Sequence, residues 1–202
     1  MRPWLALRHL NIDFEEVRIP LFTPGYKEKL RAYSSAGLVP IYREGDITIW
    51  DSLAILEYLA ERHPQLWPQE PDARAMARAV SAEMHAGFQS LRTHLPLNCR
   101  ARGRRVPFTA NVNKDICRIT EIWEQCRNLH RFKGPWLFGR FSIADTMYAP
   151  VALRFVTYSV ATGDTVQEYI DALMKDANVA RWMAEAAAEE ETIDAYENVG
   201  KP

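Results

Sequence analysis

Residues Gly37 to Pro64 read GLVPIYREGDITIWDSLAILEYLAERHP, and more of the architecture is written there than anywhere else in the chain. Pro40–Arg43 and Ile47–Trp50 are short apolar runs on either side of Glu44-Gly45-Asp46. That arrangement predicts a β-hairpin turned at the glycine. Pro40 stands at the strand start, where the ladder does not need its missing N–H. Ser52–Arg62 then predicts a helix, because Leu53, Leu56, Leu59 and Ala60 fall on one stripe at helical spacing. Asp51 and Ser52 come directly before that stripe and read first as its N-cap.

Upstream, Arg2–Leu10 predicts a helix, with Trp4, Leu7 and Leu10 three residues apart. Phe14–Ile19 predicts a strand interrupted by a charged pair. Tyr26–Tyr33 predicts a short helix or turn between Pro24-Gly25 and Ser34-Ser35. Downstream, His63–Asp72 (HPQLWPQEPD) carries three prolines and reads as a linker in which Leu66 and Trp67 are anchors. Beyond it the pattern is helical. Ala73 to about His94 repeats Met76, Val80, Met84, Phe88 and Leu91. Asn111–Phe132 repeats Ile116, Ile119, Trp123, Cys126 and Leu129. Ser142–Tyr158 opens on a capping box, Ser142 with Asp145, and holds Pro150, which predicts a kink. Val166–Lys175 and Val179–Thr192 predict two more helices. The class is α+β: a small α/β unit over residues 1–63, a linker over 64–72 and an all-helical unit over 73–202.

Composition narrows the function. The 202 residues are 48% hydrophobic, enough for a substantial core. With 25 basic against 26 acidic residues the net charge is −1, which excludes a nucleic-acid binder held by phosphate contacts. There is no apolar run of about 18 residues, so a membrane span is excluded. The opening Met-Arg-Pro-Trp lacks the apolar stretch of a secretory signal. Cys99, Cys117 and Cys126 are odd in number and form no CxxC pair, so a disulfide framework or zinc site is not expected. They read as small buried or half-buried hydrophobes in a reducing, cytoplasmic setting. Glu83 and His85 form no HExxH pair, and no metal site is expected.

Two short segments carry candidate chemistry. Val39–Pro40 is either an ordinary trans turn or a cis bond. If cis, the Val39 N–H and C=O turn outward, free to pair with an extended ligand as a short added strand. Asp51-Ser52 caps a helix, and a helix start holds a carboxylate through free N–H groups and partial positive charge. The Ser52 hydroxyl adds a donor and Asp51 counters an amine. A ligand with a carboxylate and an ammonium on one carbon suits the pair. A basic loop, Arg100, Arg102, Arg104 and Arg105, reads as solvated or as a lure for an anionic substrate.

In this order, GLVP, a hairpin, IWDSLAILEYLAERHP, a Pro-rich linker and a helical domain resemble the cytosolic glutathione S-transferases. RPWLALRHLNIDFEEV (2–17), EMHAGF (83–88) and FSIADTMYAP (141–150) extend the resemblance over nearly the whole chain. It implies a thioredoxin-like N-terminal domain, an all-α C-terminal domain, a cytoplasmic homodimer and a role in detoxification. It implies that Pro40 is cis and that the Val39 backbone pairs with the cysteinyl part of glutathione. Asp51 and Ser52 then bind the γ-glutamyl end. Ser142 to Asp145 is a folding cap rather than a catalytic motif. Met84, His85, Phe88 and Tyr148 take second-substrate positions between the domains.

One departure matters. The family begins with a strand and a loop bearing the catalytic Ser, Tyr or Cys, and this sequence begins at the helix after that loop. No residue is assigned as the activating hydroxyl, so the catalytic residue is unknown. Met1 is expected to be an internal methionine of a longer reading frame. Without the first strand, Phe14–Ile19 lacks its inner neighbour, at roughly 1–3 kcal/mol for each buried group left unpaired. A free thiol titrates near roughly 8.5, so the reactive thiolate needs donors or positive charge. The N–H groups of Trp4 and Leu5, behind Pro3, offer the first. Arg2 offers the second, unless it is a solvated surface cation. The expected activity is conjugation of the glutathione thiol to an electrophilic small molecule. The alternatives are a glutathione-dependent isomerase, a glutathione-binding ligandin or regulatory protein without turnover, and a partner domain that uses the fold only to dimerise. The electrophile is not legible, because it is chosen by pocket side chains.

Overall fold

The computed structural model describes residues 1–201. The hairpin forms as predicted: β1 (Ile41–Glu44) pairs antiparallel with β2 (Ile47–Trp50), Ile41 opposite Trp50 and Glu44 opposite Ile47. Gly45 turns it at φ 55°, a left-handed conformation that glycine takes without a Cβ clash. Three helices surround it: α1 (Arg2–His9), α2 (Tyr26–Tyr33) and α3 (Ser52–Arg62). This is a thioredoxin-like N-terminal part with a small antiparallel sheet.

The strand expected over Phe14–Ile19 does not form; Ile12–Pro20 carries no regular element. A strand is completed by a ladder partner. This segment faces β1 only across a cleft of about 760 Å³, lined by Ile12–Val17 and Ile19 on one side and Val39–Gly45 on the other. Its alternating residues still divide, with Ile12 and Phe14 half-buried and Asp13 and Glu15 exposed. The alternation does not continue, since Glu15 through Arg18 are all exposed, and no neighbour supplies the hydrogen bonds.

The rest is helical: α4 (Pro71–Ala86), α5 (Gln89–His94), α6 (Ala110–His130), α7 (Ile143–Thr157), α8 (Asp164–Lys175), α9 (Ala177–Ala188) and α10 (Asp194–Glu197). The single helix expected from Ala73 to His94 is two. It breaks at Gly87-Phe88, where a Cβ on Gly87 would lie 2.7 Å from the Glu83 carbonyl oxygen and Phe88 is left-handed at φ 59°. Leu66 and Trp67 are buried, and the Trp67 indole N–H donates to Glu57 at 3.1 Å. One core joins both parts, running from Leu5, Ile55 and Leu59 through Met84 and Met147 to Trp123. Trp123 packs edge-on against Tyr148 and Tyr169, with centroids 5.7 and 5.0 Å away.

α7 is the spine of that core, and it runs through Pro150. Its start is the predicted capping box. The Asp145 carboxylate is fully buried and accepts from Leu137 N–H (3.0 Å), Ser142 N–H (2.8 Å), the Ser142 hydroxyl (3.0 Å) and the Tyr169 hydroxyl (3.1 Å). Burial pushes its pKa up to about 6, while the four donors pull it down. Removing the carboxylate strands buried donors at roughly 1–3 kcal/mol each. Asp145→Ala is therefore expected to cost at least about 3 kcal/mol in urea denaturation; an unchanged midpoint would remove the cap from its structural role.

Candidate functional site

A cleft of about 990 Å³ runs between the thioredoxin-like part and the helical part. One wall is built from two loop-to-element junctions. At the first, the Val39–Pro40 bond is cis. Val39 is 52% exposed, and among the described residues its N–H and C=O hydrogen-bond to no protein group. A main-chain donor and acceptor thus stand open just ahead of β1.

At the second junction, Asp51 caps α3. Its Oδ1 accepts from Leu53 N–H at 2.8 Å and Ala54 N–H at 3.2 Å. Asp51 holds φ 75°, ψ 132°, a conformation L-residues rarely adopt. Such strain costs roughly 1–3 kcal/mol and gathers at functional sites. The other oxygen, Oδ2, lies 3.2 Å from His85 Nε2 on α4. One carboxylate thus starts a helix and reaches across the cleft to the helical part.

The start of α1 meets the same wall. Pro3 lies in its first turn, and no side chain caps it. The Trp4 N–H lacks an intrahelical acceptor by position, but the Leu5 N–H, expected to be free, donates to the Met1 carbonyl at 2.9 Å. Arg2 is half-buried rather than a solvated surface cation. Its Nε donates to the Met147 carbonyl at 3.2 Å, and its Nη1 reaches the Ser52 hydroxyl at 3.5 Å. Burial, and then the charge of Arg92, lower its pKa to about 10.

Arg2, Val39, Pro40, Asp51, Ser52, Met84 and His85 therefore share one cleft. Trp4 lines the other cleft, and its indole N–H donates to Glu16 at 2.8 Å. Phe88 and Tyr148, both expected in the second-substrate pocket, lie off the cleft lining. Phe88 is buried at the α4–α5 break, and Tyr148 is fully buried with its hydroxyl donating to the Val80 carbonyl at 3.1 Å. Tyr148 sits on an inward face of α7 and Phe88 is turned inward at the break between helices, so the core claims both before a pocket can. Burial pushes the Tyr148 hydroxyl well above the ordinary phenol range.

The basic loop divides: Arg102 and Arg105 are exposed, as in a solvated loop, whereas Arg100 and Arg104 are taken up by the chain. Arg100 donates to the carbonyls of Glu189 and Glu191, and the buried Arg104 reaches Glu197 at 3.4 Å. Arg18 pairs with Glu189 and Glu191 from the N-terminal part. The segment Glu189–Glu197 is held at the cleft by these arginines, a contact between chain ends that no local pattern announces. Arg92 and Arg154 also line the cleft and were not anticipated. Arg154 carried a signal, as the lone charge in YAPVALRFV (148–156). Of the cysteines, Cys126 is buried and Cys99 half-buried, but Cys117 is exposed on α6. Among the described residues no group of three His, Cys, Asp or Glu side chains could hold a metal ion. No described helix is long and apolar enough to cross a membrane.

Residues 1–70 match the family model for the glutathione S-transferase N-terminal domain. The chain is 39% identical over 152 residues to maleylacetoacetate isomerase of Rattus norvegicus, covering 72% of this chain and 68% of that protein. It is 39% identical over 89 residues to a probable maleylacetoacetate isomerase of Caenorhabditis elegans, covering 43% of this chain and 42% of that protein. In structure it resembles a glutathione transferase homologue from Burkholderia, solved with bound glutathione. The TM-score is 0.70 at 21% identity, covering 93% of this chain and 91% of that one.

Proposed function

Because this chain belongs to the cytosolic glutathione S-transferase family, we propose that it binds glutathione in the larger cleft and adds its thiol to an electrophilic small molecule. The observation that carries the reading is the pairing on one wall of the open Val39 main chain with the Asp51-Ser52 helix start. Glutathione has an extended amide middle and a γ-glutamyl end with a carboxylate and an ammonium on one carbon. The Ser52 N–H, which has no protein acceptor among the described residues, and the Ser52 hydroxyl take the carboxylate at the positive end of α3, where the Leu53 and Ala54 N–H groups already hold Asp51. The Asp51 carboxylate takes the ammonium. Val39 pairs with the cysteinyl amide as one step of added strand. Met84 and His85 lie on the facing helical wall, where the second substrate belongs.

The chemistry then asks for a thiolate. The start of α1 lines this cleft at Arg2 and Pro3, and its partial positive charge together with the Arg2 guanidinium favours the ionised sulfur. The sulfur attacks the electrophilic carbon, a C–S bond forms, and the leaving group departs with its bonding pair. The names of the relatives favour a second reading within the same site, a glutathione-dependent isomerase. There the thiolate adds to a conjugated double bond, the electron pair moves onto the conjugated carbonyl, the resulting single bond rotates, and the pair returns to expel the thiolate. Conjugation consumes glutathione one for one, whereas isomerisation consumes none.

Calorimetric titration with reduced glutathione is expected to give saturable heat. Asp51→Asn keeps an N-cap of equal rank but removes the counter-charge. It is expected to weaken binding by about ten-fold or more, the loss of one charge-assisted contact. Equal binding by both proteins would take Asp51 out of the site. For Arg2→Ala, the bound thiol, followed by thiolate absorbance, is expected to titrate at higher pH than in the wild type. Identical curves would leave Arg2 no part in activation.

The reading includes a cytoplasmic homodimer, the thioredoxin-like part of one subunit against the helical part of its partner. Ile47 (48% exposed) and Trp50 (49%) on the hairpin and Phe132 (89%) beyond α6 are apolar surfaces such an assembly would cover. Light scattering is expected to give twice the chain mass, and a monomer mass would refute the dimer.

A further inference from the structure

Three guanidinium groups converge on the larger cleft: Arg2 at the start of α1, Arg92 in α5 and Arg154 in the last turn of α7. Their protein partners are neutral. Arg2 donates to the Met147 carbonyl and the Ser52 hydroxyl. Arg92 Nη1 donates to the His85 carbonyl at 3.3 Å. Arg154 donates through Nε to the Leu95 carbonyl at 2.8 Å and through Nη1 to the Pro150 carbonyl at 3.0 Å. A guanidinium carries five donors, and no more than two on any of these are used.

The carboxylates on the same cleft are committed elsewhere. Asp51 caps α3 and meets His85, Glu189 and Glu191 pair with Arg18, and Glu197 pairs with Arg104 and Lys201. Among the described residues, none of the three arginines has an ion pair. They also repel one another. Burial first, and the Arg92 charge next, lower the pKa values of both Arg2 and Arg154 to about 10. Half-buried like charges with spare planar donors are relieved by an anion, and a carboxylate matches the guanidinium fork.

We propose that Arg2, Arg92 and Arg154 form an anion-reading end of the cleft that selects a second substrate carrying a carboxylate. The proposal rests on the glutathione reading for the reaction, but the anion site itself is testable without turnover.

The binding probe is 3,5-dinitrobenzoate against its methyl ester, followed by tryptophan fluorescence at saturating glutathione, since Trp50 and Trp182 line the cleft. The acid is expected to bind about ten-fold tighter than the ester or more, from one or two charge-assisted contacts. In Arg154→Gln and in Arg92→Gln the acid-to-ester ratio is expected to fall toward one, and in Arg154→Lys to keep most of its value. Arg92→Gln guards against a folding defect in the more deeply set Arg154 variant. Equal binding of acid and ester by the wild type overturns the proposal. So does a ratio unmoved in both Gln variants, or acid binding to the glutathione-free protein that saturating glutathione abolishes, which would give the arginines to glutathione's own carboxylate.

The turnover arm compares 4-chloro-3,5-dinitrobenzoate with its methyl ester. The thiolate attacks the carbon bearing chlorine, the nitro groups hold the added charge, the C–S bond forms and chloride leaves with its pair. A higher kcat/KM for the acid supports the proposal. Equal turnover of both overturns it while leaving conjugation standing. Tight acid binding with no turnover of either supports the anion site and removes conjugation instead.

Discussion

A single buried carboxylate organises the helical part. Asp145 collects four donors from three elements: the Leu137 loop, the Ser142 cap and the Tyr169 hydroxyl on α8. Without them a fully buried carboxylate is too costly to hold. With them it sets the position and start of α7, and α7 sets much else. Its Met147 carbonyl receives Arg2, its Pro150 carbonyl receives Arg154, and its Tyr148 hydroxyl locks onto α4 at Val80. The cleft is thus framed by a helix whose own start is fixed from beneath.

The thioredoxin-like wall works by main-chain geometry rather than by side-chain reach. A cis bond leaves the Val39 groups open, and a strained Asp51 turns a helix start toward the same space. Asp51 does two jobs at once, holding α3 with one oxygen and His85 with the other. Asp51 thus ties this wall to the helical part through one residue. One end of the cleft is cationic, with Arg2 from the thioredoxin-like side and Arg92 and Arg154 from the helical side, and among the described residues these arginines have no ion pair while the acids on the cleft have partners. A cleft with one zwitterion-matching wall and one cationic end suits two ligands of different chemistry.

Much of this was legible in sequence because it is local. The hairpin at Gly45, the α3 stripe, the Asp51 cap and the Ser142–Asp145 box are each set by residues within a turn or two of one another. The Phe14–Ile19 strand was not, since short-range residue types suggest a strand but a ladder needs a neighbour. The break at Gly87 was missed because the apolar repeat continues through it, while the close approach of the Glu83 carbonyl does not show in a pattern. Phe88 and Tyr148 carried the right residue types for a pocket, but periodicity cannot tell an inward face from a cleft face. The arginine cluster was the hardest to see. Arg2, Arg92 and Arg154 are far apart in the chain, and only the packing of α1, α5 and α7 brings them to one place.

The account stands on glutathione lying along the Val39 and Asp51-Ser52 wall. Amide-resolved NMR of the intact protein reads that wall directly. Titration with reduced glutathione should move the amides of Val39, Ser52, Leu53 and Ala54 together along one saturation curve. Shifts confined to the helical part, or a titration that leaves those four amides still, would contradict it.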